Sequence, residues 1–126
     1  MIKAAGIMFM TDAGETLLLK RSDAGDFGGY WDFPGGKIED GETAEEAAVR
    51  ECLEETGHVP DGVREVWTRR ISEGVGGCDY TTFIQRIEES YIPKLDGDHT
   101  AYTWVHVFDM INPKSMEPEF GPEVVR

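Results

Sequence analysis

The chain has 126 residues, 40% of them apolar and spread along its whole length, enough for one domain with a buried core. Its 25 acidic and 12 basic residues give a formal charge of −13, which excludes a general DNA or RNA binder because no basic stripe is available. A small anionic substrate stays compatible, provided that bound cations reverse the local potential. No Lys/Arg run marks a membrane-binding patch, and no apolar stretch approaches the ~20 residues of a membrane span. Cys52 and Cys78 fit no CxxC or metal-finger spacing, so a reducing cytoplasm is the expected compartment.

In chain order, residues 2–10 and 16–21 are expected to form two hairpin strands joined by a turn at 12–14, where DAG is a turn signal. Residues 22–29 read as a Gly/Asp-rich loop. Residues 30–33 read as a short strand running into Pro34-Gly35-Gly36, a turn or loop. Thr43 then opens a helix over 44–56. Thr43 with Glu46 makes a capping box, and Gly57 stands where a C′ glycine belongs. Residues 63–71, 80–87 and 101–108 are further strand candidates. The last 16 residues hold three of the six prolines. There GPEVVR is expected to open a helix with Pro122 near its first position, as if the natural protein continued past Arg126. Strands on both sides of one strong helix predict a single domain over 1–126, with a mixed α/β or α+β sheet and helices packed on it.

The helix carries chemistry. At 100° per residue, Glu51, Glu54 and Glu55 fall within roughly 100° of arc. Ala44, Ala47 and Ala48 share or border that arc and are expected to leave room for ions and a substrate. Val49, Cys52 and Leu53 are expected to face the core. Glutamates at i, i+3 and i+4 repel one another, and a divalent cation removes the conflict. All-oxygen ligands favour Mg²⁺ or Mn²⁺ over zinc, although in so acidic a chain the helix by itself reads first as a solvated acidic face. Arg50 lies eight residues after Glu42 and four before Glu54, placed to brace neighbouring carboxylates. Gly35 and Gly36 allow close approach of backbone to a metal or phosphate. Lys37 and Arg21 are candidates for phosphate oxygens, with an ordinary surface role as the alternative for each.

The spacing Gly36, five residues, Glu42, seven residues, then Arg50-Glu51-Cys52-Leu53-Glu54-Glu55-Thr56-Gly57 resembles the Nudix box, Gx5Ex7REUxEExGU, over residues 36–58. All seven invariant positions are filled. His58 departs from the pattern, standing where a bulky aliphatic is usual, and Val59 is expected to take over its packing. The preceding WDFPGGKIE resembles the MutT-like subgroup. The resemblance implies the Nudix fold, an α/β/α sandwich with a mixed sheet. It also implies Mg²⁺-dependent (Mn²⁺ as alternative) hydrolysis of a nucleoside diphosphate linked to another group. Conversion of a (d)NTP to (d)NMP and pyrophosphate is the leading case. Hydrolysis of ADP-ribose or a dinucleoside polyphosphate comes second, and a non-catalytic nucleotide-binding module third.

Carried over by position, Glu51, Glu54 and Glu55 would bind metal, with either of the last two central and the Gly35 carbonyl assisting. Arg50 joins them in the catalytic set. Asp98, in LDGDHTAYTWV, would supply a further acid from a late loop, with Asp96 and Glu88 as rivals. His99 reads as structural or solvent-facing rather than catalytic. Among Phe27, Tyr30, Trp31, Phe33, Phe83 and Trp104, most are expected in the core and one or two against a base; Phe33, with Arg21 and Lys37, is the substrate-binding candidate. The expected partner is a small nucleotide, with no nucleic acid and no membrane; the oligomeric state is open.

Overall fold

A computed structural model describes residues 2–23, 28–71 and 78–111. Its elements are β1 (Ile2–Thr11), β2 (Glu15–Arg21), β3 (Trp31–Asp32), β4 (Gly35–Lys37), α1 (Ala44–Thr56), β5 (Arg64–Ile71), β6 (Cys78–Ile87), β7 (His99–His106) and α2 (Val107–Ile111). They form a mixed four-stranded sheet in the order β4-β1-β6-β5 and a three-stranded sheet in the order β3-β2-β7. β1 runs parallel to β6 and antiparallel to β4. The smaller sheet is antiparallel throughout. The architecture is the expected mixed α+β one. No helix among the described residues is long and apolar enough to cross a membrane.

The expected hairpin of β1 and β2 is not one. A turn does join them, with the Gly14 N–H donating to the Thr11 carbonyl (2.9 Å) and Gly14 at φ 83°. The two strands nevertheless enter different sheets, because β1 gives its edges to β4 and β6. Ile7 and Phe9 meet Leu17 and Leu19 face to face in the main core instead. Leu18 turns the other way, onto Trp31, in a smaller cluster flanked by Phe33, Ala101, Val105 and Met110. β2 is therefore covered on both sides, and its three consecutive leucines are all buried.

Gly35 and Gly36 were expected in a loop; they form a short strand, paired Gly6↔Gly35 and Ala5↔Gly36. A β-carbon at Gly35 would collide with the Ala5 carbonyl, the Gly6 Cα and the Tyr80 hydroxyl, so only glycine lets β4 lie this close to β1.

Helix α1 packs over β1 and β4. Ala47, Ala48 and Cys52 are fully buried against Ala5, Ile7 and Phe9. The alanines thus do not hold space open for ions as expected. Lacking bulk, they let the helix settle onto the sheet, while Leu53, expected in the core, is exposed. The late strand begins two residues earlier than expected, and 107–108 belong to α2. The helix start expected at 121–126, and Phe27, lie outside the described residues.

Candidate active site

Helix α1 begins at a complete capping box. The Thr43 side chain accepts from Glu46 N (3.1 Å), and the Glu46 carboxylate accepts from Thr43 N (2.9 Å). It ends at Gly57, whose left-handed backbone (φ 72°) lets its N–H reach the Leu53 carbonyl. With both ends fixed, the rotation of the helix is set, and its second half turns carboxylates toward β4. Glu55 is buried and accepts from Gly35 N at 2.8 Å. Glu51 packs on Gly36 so closely that a β-carbon there would stand 2.6 Å from its carboxylate carbon. β4 is thereby pressed against both acids.

Burial drives the Glu55 carboxyl pKa upward, and the charge of Glu51 adds to this, while the Gly35 N–H opposes both. Arg50 grips the remaining acids. It makes a two-pronged pair with Glu42 (Nε 2.7 Å, Nη2 3.0 Å), and its Nη1 lies 2.9 Å from Glu51 and 3.4 Å from Glu54. Its Nη2 also donates to the Lys37 carbonyl, tying the helix to the end of β4. The pair with Glu42 raises the Arg50 pKa further and holds the Glu42 carboxyl below its usual range. The bracing role read from the spacing is thus present in the geometry.

The loop before β7 approaches Glu55 from the other side. Asp96 Oδ1 accepts from Asp98 N (3.2 Å) and lies 2.9 Å from His99 Nδ1. The Asp98 carbonyl accepts from Ser22 N, which docks the loop on the end of β2. Ligand-capable atoms of Glu55, Asp96 and His99 lie within 4.8 Å of one another. A cavity of about 220 Å³ opens beside them, lined by Arg21, Ser22, Gly35, Gly36, Lys37, Glu51, Glu55, Asp98 and His99.

The fold therefore brings together Glu51, Glu55, Gly35, Arg21, Lys37 and Asp98, all singled out in the sequence. Glu54 stands apart: its side chain is 55% exposed, and it touches the site through Arg50. Phe33 is not on the cavity wall; it packs on the Leu18–Trp31 cluster. Trp31 and Phe83 are buried as expected. Glu88 lies at the far end of β1, its carbonyl facing Asp12 N. Asp96, the rival to Asp98, and His99, expected to be structural or solvent-facing, are the residues of this loop grouped with Glu55. The available signal was the Asp-x-Asp-His spacing, which lets one aspartate accept from the backbone two residues on and still orient the histidine. Of the two aspartates, Asp96 is the one grouped with Glu55, because its side chain folds back over the turn.

The family description "NUDIX domain" matches residues 2–125. The chain belongs to the Nudix family. Among solved structures, this Nudix domain is similar to the MutT protein of Methanosarcina mazei Go1. They share 28% identity and a TM-score of 0.73, over 94% of this chain and 86% of that one. A Caenorhabditis elegans Ap4A hydrolase shares the fold at 23% identity and a TM-score of 0.75, over 98% and 93%. An 8-oxo-dGTP diphosphatase of Proteus vulgaris is 63% identical over 30 residues, 24% of this chain and 27% of that protein. The Nudix chain spans from 18% to 35% of the length of the curated relatives it matches.

Proposed function

We propose that the protein is a divalent-metal-dependent hydrolase of nucleoside diphosphate derivatives, with (d)NTP cleavage to (d)NMP and pyrophosphate as the leading reaction. One observation carries this reading: two basic side chains, Arg21 and Lys37, share a cavity with Glu51, Glu55 and the glycine backbone of β4. That combination can hold both a cation and an anionic polyphosphate.

The residues fit a hard cation. Glu55 is a buried carboxylate whose charge is disfavoured by burial and by Glu51, so a divalent ion would relieve the cost. The glycine at 36 leaves the Glu51 carboxylate a cradle that a single methyl group would fill. Glu51, Glu54, Glu55, the Gly35 carbonyl and a carboxylate of the 96–99 loop, Asp96 ahead of Asp98, would hold Mg²⁺ or Mn²⁺. When bound, such ions neutralise phosphate oxygens and acidify a coordinated water. Glu54 would join by exchanging Arg50 for the ion.

The chain's own groups supply the rest. Arg21 and Lys37 bind non-bridging oxygens and orient the scissile anhydride. Arg50, held by Glu42, fixes Glu51. A carboxylate takes the proton of the attacking water.

The test is chromatographic analysis of the nucleotide and phosphate products, with and without Mg²⁺, over (d)NTPs, oxidised (d)NTPs, ADP-ribose and dinucleoside polyphosphates. Mg²⁺-dependent turnover of a triphosphate supports the leading reaction. Preference for ADP-ribose or a dinucleoside polyphosphate would replace it, and tight binding without turnover would make the domain a nucleotide sensor. Glu54→Gln is expected to lower kcat by orders of magnitude with the fold intact; near-normal activity would remove Glu54 from the site.

A further inference from the structure

Strand β4 has two faces. On one, Glu51 and Glu55 press on Gly36 and Gly35. On the other stands Tyr80, from β6. The pairing of Ala4 with Tyr80 and of Gly6 with Gly35 puts the three strands side by side, and the Tyr80 ring reaches diagonally across β1 toward β4. At Gly6 this reach leaves no room for a side chain, and at Gly35 it adds to the closer approach of the β1 backbone. A β-carbon on Gly6 would overlap the Tyr80 hydroxyl and come within 2.8 Å of the Pro34 carbonyl, and one on Gly35 would stand 2.7 Å from the same hydroxyl.

The peptide between Pro34 and Gly35 is consequently held on three sides. Its carbonyl accepts from Ile7 N at 2.9 Å. Its N–H donates to Glu55 Oε1 at 2.8 Å. The Tyr80 hydroxyl closes the face away from the helix. A strand of three residues, two of them glycines, has little side-chain packing of its own to fix it, so its position depends on these neighbours.

We propose that Tyr80 is a positioning residue of the site: its hydroxyl sets the distance between the Gly35 backbone and the Glu55 carboxylate, and so the readiness of that carboxylate to take a divalent ion. This rests on the reading of Glu55 as a metal ligand. Tyr80 is far from the glutamate helix in sequence, and it acts through Gly35 without lining the cavity. Groups that orient a ligand from behind commonly change metal affinity by about 10-fold to 100-fold when removed.

The test is Tyr80→Phe, which keeps the ring and therefore the sheet packing. Two measurements are made on the full chain: the Gly35 amide by NMR, as chemical shift and hydrogen-exchange protection, and Mn²⁺ affinity by calorimetric titration without substrate. The expected result is loss of protection at Gly35, together with Mn²⁺ binding weakened roughly tenfold, while Tm changes little. An unshifted, equally protected Gly35 amide overturns the proposal, as does unchanged Mn²⁺ affinity. If wild type itself binds no Mn²⁺, the metal reading of Glu55 fails; the amide measurement then decides separately whether Tyr80 positions Gly35. Tyr80→Leu serves as the contrast: a purely packing role would be lost in Leu and kept in Phe, whereas the positioning role is lost in both.

Discussion

At the scale of single residues, Glu55 dominates. Its carboxyl is buried, and its folded-state pKa lies above the ordinary carboxylate value. A raised acid pKa means that the folded state retains its proton longer than the unfolded state does. Without metal, this contribution to stability is fully present below the unfolded pKa near 4.5 and is lost as pH rises through the folded value. The metal-free protein is therefore expected to lose more Tm between pH 5 and pH 8 than Glu55→Gln, in which a neutral amide can still accept from Gly35 N. The same variant is expected to lose hydrolytic activity by orders of magnitude. Thermal unfolding in a chelator at the two pH values checks the first expectation, and a variant with the wild-type pH slope would show that Glu55 does not titrate as its burial implies. Part of this residue's placement was readable from spacing alone. Which of the neighbouring glutamates points inward was not, because both lie on one arc of the helix and only the docking of α1 onto β4 separates buried Glu55 from half-exposed Glu54.

At the scale of elements, the bounds of α1 were legible because their signals are local, whereas its facing was not, since Leu53 is exposed. The Thr43–Glu46 box and Gly57 bound it at the observed residues. Thr43→Ala is expected to cost about 1 kcal/mol, measurable by urea unfolding. The segment just past the helix was less legible. His58 was expected to leave a gap that Val59 fills, but Val59 is 65% exposed and His58 fills the place itself. Its ring stacks on Tyr91 (4.1 Å between centroids, 10° between planes) and meets the edge of Phe9 at 5.4 Å. A neutral imidazole can act as a flat apolar ring here, and burial accordingly lowers its pKa. A lowered histidine pKa contributes stability that is present above the unfolded value of 6.5 and is lost as pH falls. His58→Phe is thus expected to flatten the fall in Tm between pH 7.5 and pH 5.5, and an identical slope would count against it. Apart from β4, which reads as a loop, the strands were placed within a few residues, whereas their partners were not. The apolar runs of β1 and β2 say that each is buried, yet division into two sheets depends on long-range pairing with β4, β6 and β7, which no local pattern encodes.

At the scale of the whole molecule, the charge of −13 concentrates the argument about metal. A compact chain with this excess repels itself, so any salt should raise Tm by screening. A cation held at Glu51 and Glu55 does something different, because it binds the folded state and stabilises it by mass action. The two effects separate if Mg²⁺ and NaCl are compared at equal ionic strength. Mg²⁺ is expected to raise Tm further, with saturation, and the surplus should vanish in Glu55→Gln while the NaCl response remains. Equal responses to the two salts would mean that the acidic helix face is only solvated, the alternative that the sequence alone left open. The surplus should also grow between pH 6 and pH 8, because the ion displaces the proton that burial favours on Glu55. Screening by NaCl, which competes with no proton at this carboxyl, should lack that dependence, so the pH profile of the Mg²⁺ shift identifies the binding residue without any assay of turnover.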